Sequence, residues 1–242
     1  MDYESGIERF LEYRPHYAYG VLKAAQLAKR LNMGCISVVE FGVARGDGLL
    51  NLEYHAGIVE QLTGVKIEVH GFDSGQGLPA VTDYRDLPYI WDAGAFPMQS
   101  EHLVPRLTRA KLYLGDVRET VPEFVKTAQF APVGFIAHDL DLFTSTIASF
   151  AIFEGPASTR LPRVLNYFDD IILDDVALMH DEVGELAAIT QFNLEHARMR
   201  LKPAIYLLDK FDCPFKLQWY VLHDIAHPQY MSLMEKPQRE IA

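Results

Sequence analysis

Basic residues are what this 242-residue sequence has too few of: 22 Lys and Arg stand against 33 Asp and Glu, a formal charge of -11. No run of cations offsets that balance. Nucleic acids and anionic membrane surfaces are recognised by clustered positive charge, so neither is expected as a partner. Cysteine is almost missing too. Cys35 and Cys213 are far apart and form no C-x-x-C, which argues against a disulfide scaffold or a thiolate zinc site and predicts buried free thiols in a reducing cytoplasm. No apolar run approaches the ~18–20 residues that span a bilayer. The opening MDYESGIERF is acidic and polar, unlike a secretion signal. There is no G-x-x-x-x-G-K-[ST] phosphate loop and no G-x-G-x-x-G, so a nucleoside triphosphate or a dinucleotide is disfavoured as the main ligand. Repeats, low-complexity tracts and linkers are absent as well. The length suits one α/β domain over 1–242. A cytoplasmic protein acting on a small molecule is expected, and a homo-oligomer is compatible with the same composition.

What is present is a regular alternation. Helical spacing runs from about Tyr19 to Leu31, in an N-terminal helical segment over 1–35, and the β-branched run CISVVEFG follows. Further strands are predicted at IEVHGFD, AKLYLGD, VGFIAHD and RVLNYFDD, each pair separated by a helical pattern. Five such alternations predict a parallel sheet wrapped on both faces. The closing runs AIYLLD and LQWYVLHD are too close for a crossover helix and should pair antiparallel. The fold class is therefore α/β: a doubly wound, Rossmann-like sheet, mostly parallel, with a C-terminal antiparallel hairpin. Ligands of such sheets lie outside the carboxyl ends of the strands.

Acidic residues collect at those ends. GFIAHDLDLF places Asp139 and Asp141 one residue apart, on one face if the chain stays extended, and NYFDDIILDDV adds Asp169, Asp170, Asp174 and Asp175. Like charges this close raise each other's pKa unless a cation lies between them.

The first strand runs into VVEFGVARGDG, with Gly42, Gly46 and Gly48 in the β–α turn. Glycines there let the backbone turn tightly and approach a ligand. Glu40 puts a negative charge where a phosphate would be repelled and an ammonium welcomed. Asp73, ending the second strand in GFDSGQGLP, suits the two hydroxyls of a ribose. Asp116, ending the third, suits the exocyclic amine of an adenine. An amine, a ribose and an adenine together describe S-adenosyl-L-methionine.

In VEFGVARGDG, GFDSGQGLP, HDLDLFTST and the Asp-Asp pair after the fifth strand, over roughly residues 38–175, the sequence resembles class I S-adenosylmethionine-dependent methyltransferases. More narrowly it resembles the macrocin O-methyltransferase family of metal-dependent sugar O-methyltransferases. The resemblance implies a cofactor site lined by Glu40, Gly42, Gly46, Gly48, Asp73, Ser74 and Asp116. It implies a divalent ion, commonly magnesium, on Asp139 and the later pair, with Asp169–Asp170 favoured over Asp174–Asp175, and Asp141 as general base. The implied activity is metal-assisted O-methylation of a sugar-like or natural-product hydroxyl.

Other readings compete. Nucleotide-sugar glycosyltransferases also hold a metal with D-x-D, although here the motif arrives only at the fourth strand and a glycine loop precedes it. A non-catalytic domain that binds the cofactor would keep the same residues. The aromatic stretch DYRDLPYIWDAGAF (83–96) is either a lid over the site or a loop packed on its own domain, and EYRPHYAYG poses the same choice. Strand alternation turns His138 away from Asp139. His180, His196 and His223 have no metal-ligand spacing and suit the surface or helix ends. Ser74 is no nucleophile elbow, because the central residue of G-x-D-x-G is Asp73.

Overall fold

The computed structural model describes residues 2–9, 11–173, 175–208, 210 and 214–234. Chain order is α1 (Tyr3–Glu8), α2 (Pro15–Arg30), β1 (Cys35–Phe41), α3 (Asp47–Thr63), β2 (Lys66–Asp73), α4 (Ser100–Leu103), β3 (Lys111–Leu114), α5 (Val117–Thr127), β4 (Val133–His138), α6 (Phe143–Ser149), β5 (Arg160–Phe168), α7 (Gly184–Glu195), β6 (Met199–Pro203) and β7 (Trp219–Asp224). The strands form one sheet in the order β3-β2-β1-β4-β5-β7-β6. The first five run parallel, and β7 lies antiparallel to both β5 and β6. Among the described residues no helix is long and apolar enough to cross a membrane.

Alternation along β1 sorts the core into two layers. Ile36 and Val38 pack with α2 and α3, whereas Val39 and Phe41 join the aromatic side chains of α5, α6 and α7. β1 and β4 are buried on both faces, which is why they read as continuous apolar runs. The chain steps outward from β1 to β2 and β3 on one side and from β4 to β5 on the other, so the switch point opens between the carboxyl ends of β1 and β4.

Two sequence expectations are corrected. The first strand of the C-terminal hairpin is not AIYLLD but Met199–Pro203, just before it. Leu201 is the one fully buried residue of the strand, with partly buried Met199 beside it on the same face and half-buried Arg200 and exposed Lys202 on the other, and the Asn193 side chain bonds both the N–H and the carbonyl of Leu201. So short an inward face suffices for an edge strand. The apolar run that looked like a strand is a 3-10 turn, with Ile205 71% and Tyr206 55% exposed. Cys35 is free but only half-buried, at the outer end of β1, and Cys213 lies outside the described residues.

Helix α2 seats on the sheet through Gly20, where a Cβ would lie 2.5 Å from the Phe135 ring. An Ala in an open helix position gains about 1 kcal/mol over Gly. At position 20 overpacking of about 1–3 kcal/mol opposes that gain. Gly20→Ala is therefore expected to lower the urea midpoint in the wild-type background and to raise it beside Phe135→Leu. Equal effects in both backgrounds would show that the ring does not hold α2.

Candidate functional site

A cleft of about 970 Å³ lies at the switch point and is walled by the segments that follow β1, β2, β3, β4 and β5. Its base is Glu40, 1% exposed. Tyr17, in the first turn of α2, donates its hydroxyl to Glu40 Oε1 at 2.8 Å, while Oε2 is buried without a partner. Burial pushes the Glu40 carboxyl well above its ordinary range; the Tyr17 hydrogen bond opposes this and the nearby Asp139 adds to it.

The glycines after β1 make room chiefly for protein atoms. Gly42 and Gly46 have φ of 81 and 87, a region where side chains are strained. A Cβ on Gly42 would overlap the Asp139 carbonyl oxygen, one on Gly46 would strike Leu103, and one on Gly48 would strike the Glu40 carboxylate. Gly42 and Gly48 still line the cleft; Gly46 is not among its walls but caps the start of α3.

Asp73 ties this loop to β2. Its Oδ2 accepts from the Val43 and Ala44 N–H groups, both at 2.9 Å, and its Oδ1 accepts from Gly75 N at 2.6 Å. Ser74 Oγ bonds the Gly77 carbonyl at 2.9 Å, closing the next turn. Asp116 caps α5 through Arg118 N at 2.8 Å, and the Arg118 guanidinium holds its carboxyl below the ordinary range. Asp73, Ser74 and Asp116 all line the cleft.

The acids after β4 and β5 converge on the opposite wall. Carboxylate oxygens of Asp139, Asp169 and Asp170 lie within 4.8 Å of one another. Asp174 lies outside the described residues. β4 ends at His138, so Asp141 is not placed by strand alternation; its φ of 60 turns it back, and its N–H donates to Asp170 Oδ2 at 3.2 Å. Burial raises Asp139 and Asp170 well above the ordinary carboxyl range, with their acidic neighbours adding to it. Asp141 is pushed up to about 7, by burial first and then by Asp139. Three oxygen donors of one sign, with no thiol or imidazole among them, make a set suited to a hard divalent cation.

Residues that the sequence reading did not assign to the site also take part. Glu185, 0% exposed on α7, accepts the Asp170 N–H at 3.0 Å and so fixes the 3-10 turn that presents Asp169 and Asp170. It looked like an ordinary acid in the first turn of a helix. Arg14 reaches the cleft from the N-terminal segment, and its only local signal was a cation ahead of the α2 proline. From the 83–96 loop, Trp91 and Phe96 line the cleft, whereas Tyr84 and Tyr89 are 74% and 63% exposed. The loop is anchored by buried Asp86, which accepts Thr144 N at 2.8 Å, and by Arg85, 3.6 Å above the Phe143 ring. His138 faces away from the acids. It stacks on Phe168 at 4.4 Å, bonds Asn166, and is held down to about 3 by burial.

No protein-family model matches the sequence, and no curated protein matches it. Among solved structures the chain is similar to the calicheamicin methyltransferase CalS11, with 23% identity over 90% of this chain and 83% of that one, at a TM-score of 0.53. Looser likenesses include MycE of the mycinamycin pathway, solved with Mg and SAH (14% identity, 86% and 48% covered, TM-score 0.44). The O-methyltransferase TomG from Streptomyces achromogenes, solved with SAM, is another (10%, 90% and 86%, 0.45). The chain thus shares its fold with a methyltransferase.

The raised carboxyls set a sign for stability. The Asp141 carboxyl is pushed up to about 7 in the folded chain against an ordinary 3.8, so between these values the folded state holds a proton that the unfolded state has released. Raising the pH through that window removes stability. In chelator, the thermal midpoint of the wild type is expected to fall from pH 4 to pH 7 more steeply than that of Asp141→Asn. Millimolar magnesium should flatten the wild-type slope. Parallel slopes for the two proteins in chelator would refute the assignment.

Proposed function

We propose that the protein is an S-adenosylmethionine-dependent methyltransferase that methylates a hydroxyl of a small, sugar-like or natural-product acceptor with the help of a divalent ion, magnesium by preference. The observation that carries this reading is the meeting of Asp139, Asp169 and Asp170 in the same cleft as the Glu40–Gly48 loop. The fold shared with CalS11 supports it.

Both implied groups suit the residues present. Glu40 has a buried, unpartnered oxygen for an ammonium, and Asp73 and Asp116 border the same cleft from the ends of β2 and β3. Asp139, Asp169 and Asp170 would hold the divalent ion. When bound, that ion lowers the pKa of an acceptor hydroxyl and orients it, and the sulfonium supplies the methyl group.

The remaining work falls to the chain. Asp141, buried two residues beyond Asp139 with its N–H on Asp170, would accept the proton of the acceptor hydroxyl as the methyl leaves sulfur for that oxygen. Tyr17 fixes the Glu40 carboxylate, and Glu185 fixes the turn that carries Asp169 and Asp170. Trp91 and Phe96 line the cleft and would offer aromatic surface to the acceptor.

Calorimetric titration of S-adenosylmethionine, with and without magnesium, tests the reading, followed by an acceptor screen that detects S-adenosylhomocysteine. Micromolar binding that disappears in Asp73→Ala is expected. With an acceptor in hand, Asp141→Asn should lower kcat by about 10²–10⁴-fold and leave cofactor affinity intact, whereas Asp139→Asn should abolish magnesium dependence together with activity. A folded wild type that binds no S-adenosylmethionine under either condition sinks the proposal and returns the D-x-D to nucleotide sugars.

A further inference from the structure

Arg14 is a half-buried cation in a wall of the cleft. Its guanidinium lies 5.3 Å from the Tyr17 ring centroid, and the Tyr17 hydroxyl bonds Glu40. Arg14 and Glu40 thus border the same side chain, the guanidinium against the Tyr17 ring and the carboxyl at its hydroxyl. Among the described residues Arg14 makes no ion pair with a carboxylate. Burial disfavours its charge, but Tyr17, Glu40, a hydrogen bond with Tyr13 and the charge of Asp139 outweigh that.

The backbone holds Arg14 in place at a cost. Its φ of 46 and ψ of 66 are left-handed, a conformation that an arginine rarely adopts. Strain of this kind persists only where the surroundings enforce it. Here they do: the Tyr13 carbonyl accepts from Asn51 Nδ2 at 3.1 Å and pairs with His55 Nε2 at 2.9 Å, both on α3. The Arg14 carbonyl accepts Tyr17 N and Ala18 N at the start of α2. A glycine would meet every one of these backbone demands without strain, but it would carry no charge.

We propose that Arg14 is the counter-ion for the carboxylate of the amino-acid end of the cofactor, with Glu40 taking its ammonium. An α-amino acid carries an ammonium and a carboxylate on one carbon; the cleft offers a guanidinium for the second and, on the other side of Tyr17, a carboxyl with an unpartnered oxygen that an arriving ammonium would hold ionised. The remaining cations in the walls are placed differently. Arg118 is committed to Asp116 beyond β3, and Arg45 is exposed on the glycine loop. This inference rests on the methyltransferase reading.

A thermodynamic cycle separates the two. S-adenosylhomocysteine and its decarboxylated counterpart would each be titrated into wild type, Arg14→Gln and Arg14→Lys. Charge-assisted hydrogen bonds in such settings are worth about 10- to 100-fold in affinity. Arg14→Gln should therefore weaken S-adenosylhomocysteine by that factor and leave the decarboxylated ligand unchanged, with partial rescue by Arg14→Lys. Equal weakening of both ligands would assign Arg14 a merely structural part and overturn the inference. Unchanged S-adenosylhomocysteine affinity in Arg14→Gln would overturn it as well, and would leave the cation for an anionic acceptor. A wild type that binds neither ligand removes the cofactor reading itself, and this inference with it.

Discussion

Acidic groups buried in a low-dielectric setting are the constraint around which the carboxyl ends of the strands are arranged. Glu40, Asp139, Asp141, Asp170 and Glu185 are all buried or nearly so, and each has its acid strength weakened first by burial. Isolated buried charges are strongly unfavourable, and pairing with a cation or a hydrogen-bond donor offsets the cost only in part. The chain supplies some donors: the Tyr17 hydroxyl and the main-chain N–H groups of Asp141 and Asp170. It leaves Glu40 Oε2 and Glu185 Oε1 without any. A cluster of this kind is costly unless cations reach it from outside, and the proposed function would supply them, a divalent ion at one wall and a charged cofactor at the other.

The division between the walls follows from topology. β1 and β4 are neighbours in the sheet although far apart in sequence, and the chain departs from them in opposite directions. The loop after β1 therefore meets the turn after β4 at one point, where Gly42 faces the Asp139 carbonyl and Asp139 N bonds Phe41 O at 2.9 Å. Asp73, from β2, fastens the same loop from its other side.

Much of this was legible because it is written in short, local patterns. Parallel strands buried on both faces read as apolar runs, and acids that end them stand out against that background. Asp139, Asp169 and Asp170 were recognisable from a resemblance spread over four motifs, and they do meet. What was not legible depends on contacts across the fold. Arg14 reaches the cleft only because Asn51 and His55, on the next helix, hold the Tyr13 carbonyl. Glu185 matters only because α7 returns beneath the turn after β5. Asp141 owes its place to a left-handed residue rather than to the alternation that drew attention to it. β6 was misplaced because Met199 and Leu201 make a weaker sequence signal than the more apolar turn that follows, where Ile205 and Tyr206 are exposed.

The close fit of Gly42 against the Asp139 carbonyl has a consequence for how such a protein changes over time. The two limbs that would hold methyl donor and acceptor are locked together through main chain, so their spacing does not depend on side chains elsewhere in the cleft. The 83–96 loop is fastened elsewhere, through Asp86 and Arg85 to Thr144 and Phe143 of α6 and through Gly94 and Ala95 to Leu78. Trp91 and Phe96 lie outside that main-chain lock, so exchanging these side chains would reshape the cleft wall without loosening the contact between Gly42 and Asp139. The architecture thus sets a fixed part beside one that could be rewritten.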